Sequence, residues 1–421
     1  MNSVSPFTAP KAPTRPERAP MKPLDLALAE LLAFAVPLAP AESVSTFEAD
    51  GRVLAQDLLS SLDVPAHDNS SMDGYAVRCA DWANSATVLQ VSQRIAAGSN
   101  GQPLAPASVA RIFTGAPIPS GADAVVMQED CDAALGGVRI RLQPQPGQWI
   151  RRRGEDVAAG TVVIERGTRL TPASLGLAAS IGFDQLQVAP CVRVALFSTG
   201  DELVMPGEVA PADMKLGAIY NSNRFFLKAL LRRLGCDVTD LGIVPDRLDA
   251  TIEALKAASR QHDLILTSGG VSVGEEDHIK PAVQALGELN LWQIAIKPGK
   301  PFAYGKIAAA HFIGLPGNPV SSFVTFLLLV RPFILKLQGA ADFAPKSIAI
   351  SAHFDWPKAD KRREFLRARQ NQAGGLDLFA NQSSGVLTSA VWADGLVDNP
   401  PGQAIAHGDR VRFIPFSSLL S

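Results

Sequence analysis

Read for the spacing of its apolar and polar positions, the chain changes character three times. Residues 23–35 (PLDLALAELLAFA) repeat apolar side chains at helical spacing behind a proline, and so predict a helix. A short extended or helical connection follows over 44–60. From about 61 to 155 the pattern breaks into short apolar runs separated by Gly, Pro and Asn, such as ATVLQVSQRI, ADAVVMQED and GVRIRLQ. These predict the strands of a β-rich module. Residues 171–181 then predict a helix, with Thr171 as N-cap and Pro172 in its first position.

The middle third alternates. VRVALFST (192–199), CDVTDLGIV (236–244) and DLILTS (263–268) predict buried strands. Between them, 221–234 predicts an amphipathic helix closed by Gly235, and 248–259 a second helix. Another helix follows Asp277, then strands near 291–297 and 311–315, then a long helix from Pro319. Strands alternating with helices of this length predict βαβ units and a mainly parallel sheet. From about 345 the β pattern returns in SIAISAHFDW, REFLRARQ, LDLFANQ and DRVRFIPF. The fold class expected is therefore α/β plus β, multidomain, with a central doubly wound, mainly parallel α/β domain between a β-rich insertion and a C-terminal β domain.

The expected division is a disordered tail (1–21), an N-terminal helical and extended domain (22–60 with 151–190), a β-rich insertion (61–150), an α/β domain (191–340) and a C-terminal β domain (341–421). No internal repeat is visible.

Composition narrows the function class. The 421 residues exceed one ordinary core, and 47% hydrophobic with 19% charged residues is a globular balance. With 39 basic and 41 acidic residues the net charge is -2, which argues against coating nucleic acid. Cys79, Cys131, Cys191 and Cys236 form no C-x-x-C pair and read as reduced cytosolic thiols. The six histidines show no metal-ligand spacing. No unbroken apolar run reaches the ~18 residues that span a bilayer. The longest candidate, 323–330, reads as the core face of a soluble helix, and the Pro-rich, polar start lacks the apolar stretch of a signal peptide. A cytoplasmic protein without nucleic-acid or membrane partners is expected.

In a parallel sheet, ligands gather at the carboxyl ends of strands. Here three such ends are followed by carboxylates: Glu202, Asp246 and Asp277. Each alone could be an N-cap; all three on one edge point to a site. The loop SGGVSVG offers Ser268, Gly269, Gly270, Ser272 and Gly274, whose backbone can approach a phosphate closely. It matches no standard nucleotide motif and is weak alone. IKPGKP sets Lys297 and Lys300 on a stiff turn, and LPGNPVSS opens a helix with Pro316 before it and Asn318 as expected cap. The plain alternative for both loops is turn chemistry with solvated lysines. HDNSSMDGYAVR, RIFTGAPIP and IRRRGEDV are similarly loaded with polar groups. Anions are held by Lys, Arg, hydroxyls and helix N-termini, and carboxylates repel them unless a cation intervenes. The coexisting clusters point to a phosphate-bearing substrate used with Mg2+. No Ser-His-Asp or Cys-His arrangement supports covalent catalysis.

Taken in order, DNSSMDGYAVR, RIFTGAPIP, RRRGEDV, STGDEL, SGGVSVGEED, IKPGKPFAYG and LPGNPVSS resemble the molybdopterin molybdenumtransferases, a family that includes the E domain of gephyrin and its plant counterpart. The resemblance covers about residues 22 to 418. It implies an enzyme that takes adenylylated molybdopterin and molybdate, uses Mg2+, inserts molybdenum at the dithiolene and releases AMP. It also implies an elongated homodimer whose site in the α/β domain is completed by the N-terminal part of the partner subunit. By motif match, catalytic roles fall on Asp68, Thr114, Asp156, Glu202, Asp246 and Asp277, with Glu202, Asp246 and Asp277 as metal ligands. Substrate binding falls on Ser268, Gly269, Gly270, Ser272, Gly274, Lys297, Lys300, Pro316 and Asn318, and more loosely on Arg362 in KRREF and Ser383 in NQSSG. The chain departs from some relatives at Gln293, where they carry a further lysine. Related α/β domains also adenylylate molybdopterin or act as nucleotide pyrophosphatases, but the N-terminal half with HDNSSMDGYAV weighs against both. A receptor-clustering scaffold, as gephyrin also is, finds no added linker or partner module here.

Overall fold

The structure is a computed structural model describing residues 21–270 and 278–420. Residues 1–20 of the expected tail and the roles expected of Ser272, Gly274 and Asp277 lie outside the described residues. Two compact units are present, one of Met1–Ala39 with Pro190–Ser421, the other of Pro40–Ala189.

The first unit is built on six strands: β1 (Arg193–Thr199), β2 (Asp237–Val244), β3 (Leu264–Ser268), β4 (Gly287–Gln293), β5 (Pro301–Ile307) and β6 (Ala310–Leu315). Their order is β2-β1-β3-β6-β5-β4. The first four in that order run parallel, and β5 and β4 add antiparallel strands at one edge. β1 and β3 are buried almost throughout, as strands covered on both faces must be. Ala195, Phe197 and Ile265 pack with helices α1 (Leu248–Ser259) and α2 (Ile279–Leu286) through Leu255, Ile279 and Val283. Val194, Leu196, Leu264 and Leu266 alternate with them and face the other side.

The expected strand at 291–297 is split. β4 ends at Gln293, and Ile296–Lys297 joins a different sheet, parallel to Arg363–Gln370. β5 was not anticipated, because its KPGKPFAYG context reads as a turn. Its proline is the first residue of the strand, where no ladder hydrogen bond is lost. The second sheet runs Ile296–Lys297, Arg363–Gln370, Gly395–Asn399, Arg410–Pro415, Ile348–Ser351, and ties the Lys297 turn to the C-terminal β domain.

The helix expected from Pro319 continues to Leu337, with a π-helical turn over Phe326–Val330 just before Pro332, which has no N–H to donate. By length and apolar composition this helix could cross a membrane, although no unbroken apolar run is that long. In fact 89% of its apolar window is buried inside the protein, so it is a core helix. The N-terminal helix Leu24–Phe34 belongs to this unit, with Phe34 stacked on Tyr304 at 4.5 Å and Lys336 Nζ donating to the Leu32 carbonyl at 2.8 Å.

The second unit holds a six-stranded sheet ordered Ala124–Met127, Gly74–Val77, Ser108–Ile112, Val88–Ile95, Gly137–Ile140, Cys131–Ala134. Short ladders pair Glu42–Ser45 with Gln185–Val188 and Leu58–Leu59 with Val162–Ile164. Thr171 caps helix Pro172–Ser180 as expected, accepting the Ser174 N–H at 3.3 Å.

Candidate active site

Because β2, β1, β3 and β6 are parallel neighbours, their carboxyl ends form one continuous rim. The register sets Thr199 beside Val244, and Ser268 beside both Ser198 and Leu315. Beyond these residues come Glu202, Asp246, Gly269–Gly270 and Pro316–Asn318, so seven of the expected site residues share this edge. Glu202 folds back over Gly200: a Cβ there would lie 2.4 Å from its carboxylate. Asp246 is not a cap, since α1 begins after Arg247 and has no side-chain cap. Among the described residues, neither Glu202 nor Asp246 forms an ion pair, and no group of three metal-ligating side chains converges.

Gly269 and Gly270 turn through positive φ values of 96° and 67°, which favour glycine. A side chain on Gly270 would meet Ile279 Cγ1 at 2.5 Å and Thr199 Oγ1 at 3.1 Å. Asn223 locks this rim: its amide donates to Ser268 Oγ and to the Gly317 carbonyl, both at 2.7 Å. The sequence reading passed over Asn223 as part of a helix start. Its signal was a run of polar residues, NSNR, ahead of an apolar helix. Among the described residues, the buried Ser198 and Thr267 hydroxyls, the Asn221 amide nitrogen and the Ser322 hydroxyl lack partners. Buried polar groups are normally paired, so their concentration here marks an edge that expects a ligand or water.

The start of helix Pro319–Thr325 joins three loops. Asn318 does not cap it with its side chain, contrary to expectation; its carbonyl accepts the Ser322 N–H at 2.9 Å instead. The Val320 N–H, in the first turn, is taken by the Ser384 carbonyl at 2.9 Å. The NQSSG loop therefore seats on this helix. Gly299, between the two site lysines, packs against the same helix, and a Cβ on it would lie 2.4 Å from Thr325 Oγ1. Ser383 is reached from below by Arg367, a buried guanidinium with no carboxylate partner among the described residues. Arg367 donates to Ser389 Oγ and the Phe365 carbonyl, and burial lowers its pKa to about 10.

Lys297 is not free. Its ammonium lies 3.0 Å from Glu364 and 3.4 Å from Asp360. Asp360 also takes a two-point contact from Arg362 at 3.0 and 2.9 Å. That pairing with Arg362 holds the Asp360 carboxyl well below the usual range, with help from Lys297. A carboxylate whose folded pKa is depressed stabilises the fold above its unfolded pKa and loses that stabilisation as pH falls. Asp360→Asn should therefore lower the melting temperature near pH 7, and the gap to the parent should close as pH drops below roughly 4. A gap that stays constant down to pH 2 in thermal scans would show that Asp360 is not ionised by this pairing.

In the other unit, three expected motifs gather. Asn69 and Ser70 pair with Arg151 and Ile150, and Asn69 bridges to Pro117. Asp68 accepts from Arg152 Nη1 at 2.7 Å and the Arg153 N–H at 2.8 Å, and the backbone bond from Arg153 leads in lowering its pKa. Thr114 is held by Asp73, which accepts from its N–H at 2.8 Å and its hydroxyl at 2.7 Å. Asp156 is exposed. Asp73 was missed, although it stands in the quoted motif; only the fold shows that it orders the TGAP turn.

Comparison with known proteins agrees with the seven ordered motifs. Residues 22–182 match the family described as "MoeA N-terminal region (domain I and II)", 195–336 "Probable molybdopterin binding domain" and 349–416 "MoeA C-terminal region (domain IV)". The molybdopterin molybdenumtransferase of Haemophilus influenzae is 43% identical over 388 residues, covering 90% of this chain and 95% of that protein. This chain belongs to the molybdopterin molybdenumtransferase family. Molybdopterin molybdenumtransferase 2 of Mycobacterium tuberculosis is 38% identical, with 85% and 90% covered. The crystal structure of a molybdopterin biosynthesis moeA protein from Pyrococcus horikoshii superimposes with a TM-score of 0.82 at 27% identity, covering 94% of this chain and all of that one. The multidomain fold of the family, β-rich N-terminal parts, a central α/β domain and a C-terminal β domain, is the one expected from the sequence.

Proposed function

We infer that this chain works in molybdenum cofactor biosynthesis as a molybdopterin molybdenumtransferase, inserting molybdenum from molybdate into adenylylated molybdopterin with Mg2+-dependent release of AMP. Family membership carries the class of reaction. The observation that supports its location is the rim of four adjacent parallel strands, where glycine backbone, hydroxyls and unpaired carboxylates lie side by side.

The donors fit a hard cation: Glu202 and Asp246 offer oxygen ligands without a competing ion pair among the described residues, and Mg2+ needs only one or two carboxylates besides water and phosphate. Bound there, Mg2+ would neutralise charge on the departing phosphate. The chain's own groups do the rest by positioning. Ser268, Gly269, Gly270, Pro316 and Asn318 line the phosphate side. Lys297, Lys300, Arg362 and Ser383 hold the oxyanion of molybdate. Asp68, Thr114 and Asp156 take the catalytic roles that the motif match implies. The protein acts in the cytoplasm as a homodimer.

Incubation with adenylylated molybdopterin, molybdate and Mg2+ should release AMP and yield molybdenum cofactor, and omission of molybdate should stop both. Formation of adenylylated molybdopterin from ATP and metal-free molybdopterin by this chain alone would overturn the assignment.

A further inference from the structure

We propose that Glu364 is a positioning residue of the site, fixing the Lys297 ammonium so that one of its N–H bonds is presented to an incoming oxyanion. The proposal rests on the reading of Lys297 as a molybdate-binding residue and adds the group that aims it.

Glu364 is the second residue of strand Arg363–Gln370, between Arg363 and the buried Phe365, and is itself fully buried. A carboxylate in such a place is expensive unless every lone pair finds a partner. One oxygen accepts from Lys297 at 3.0 Å. The other accepts from Trp356 Nε1 at 2.8 Å and from Asn399 Nδ2 at 3.4 Å. The indole and the amide thus fix the carboxylate, and the carboxylate fixes the ammonium. The backbone does the same, since Lys297 pairs with Glu364 in register and the Arg363 N–H donates to the Ala295 carbonyl at 2.9 Å.

An ammonium has three N–H donors. For Lys297 one faces Glu364 and one faces Asp360, while the side chain keeps 38% exposure. The third has no hydrogen-bond partner among the described residues, and the ammonium lies 5.8 Å from the Trp356 ring centroid. A free surface lysine would lose much rotamer entropy on gripping a ligand; here that loss is already taken in folding.

Charge sharpens the inference. Lys297 and Arg362 are balanced by Asp360 and Glu364, so this cluster carries no net positive charge. Binding of an oxyanion to it depends on where the donors point, not on excess charge. The two explanations predict opposite signs for Glu364→Gln. An amide oxygen cannot serve Trp356 and Lys297 as a carboxylate does, so positioning is lost, while the cluster gains one positive charge.

The test uses the full-length protein, with KM for molybdate, KM for adenylylated molybdopterin, kcat and melting temperature measured for each variant. Glu364→Gln should raise the molybdate KM about tenfold or more, as misplacement of a binding group does, and leave the KM for the pterin substrate unchanged. Glu364→Asp, which keeps the charge one methylene short, should fall between. Trp356→Phe should move the molybdate KM in the same direction and serves if Glu364→Gln fails to fold. An unchanged or lower molybdate KM in the folded variants, with Lys297→Ala raising it, would overturn the role of Glu364 alone. If Lys297→Ala also leaves it unchanged, the reading of Lys297 fails as well.

Discussion

Replacing Glu202 by glutamine should slow Mg2+-dependent AMP release on the order of 10²-fold while leaving the protein folded. The side chain is exposed and keeps its size, so the effect on stability should stay within roughly 0.5 kcal/mol. Asp246→Asn should behave alike, because its strand end is the immediate neighbour of the one that carries Glu202. If both carboxylates act on one ion, the double variant should be much less damaged than the product of the single effects. Mn2+ binding followed by electron paramagnetic resonance gives a readout besides turnover: it should weaken in each single variant. Multiplying effects with unaltered Mn2+ binding would show that the two residues do not share a metal.

The second large effect is on stability. Gly74→Ala should destabilise the Pro40–Ala189 unit by at least about 3 kcal/mol, since overpacking against fixed backbone cannot relax through a rotamer. A Cβ at Gly74 would lie 1.9 Å from the Val126 carbonyl oxygen and 2.8 Å from its carbon. The strand it belongs to pairs on both sides, with Ser108–Ile112 and with Ala124–Met127. Calorimetry should show thermal unfolding moved to lower temperature. An unshifted melting profile would mean that this sheet is not paired as described.

Gly74 also shows what sequence reading could and could not reach. The stretch HDNSSMDGYAVR stood out for its polar side chains, yet its glycine is there for strand contact and Asp73 for ordering Thr114. Neither role has a local signature, because each depends on residues some forty or fifty positions away. The α/β core was legible because β1 and β3 carry the apolar runs Val194–Phe197 and Leu264–Leu266, and burial on both faces requires that pattern. β5 was not legible: Pro301 and Gly305 read as turn residues, and only the antiparallel partners β4 and β6 make a strand of it. The rim carboxylates could be found from topology alone, as residues just past successive strands. Glu364 could not be assigned a partner, because in KRREFLR it stands among basic residues and shows no sign of burial. Its meaning comes from the register that sets it against Lys297.

The central claim is that the anionic substrates meet at the rim formed by the ends of β2, β1, β3 and β6 and at the Lys297 cluster beside it. A crystal of the protein soaked with molybdate and AMP tests this most directly. The account predicts the AMP phosphate against the Ser268–Gly270 and Pro316–Asn318 turns, and molybdate within hydrogen-bonding distance of Lys297 and Arg362. Both ions bound at other surfaces, with these turns and side chains untouched, would contradict it.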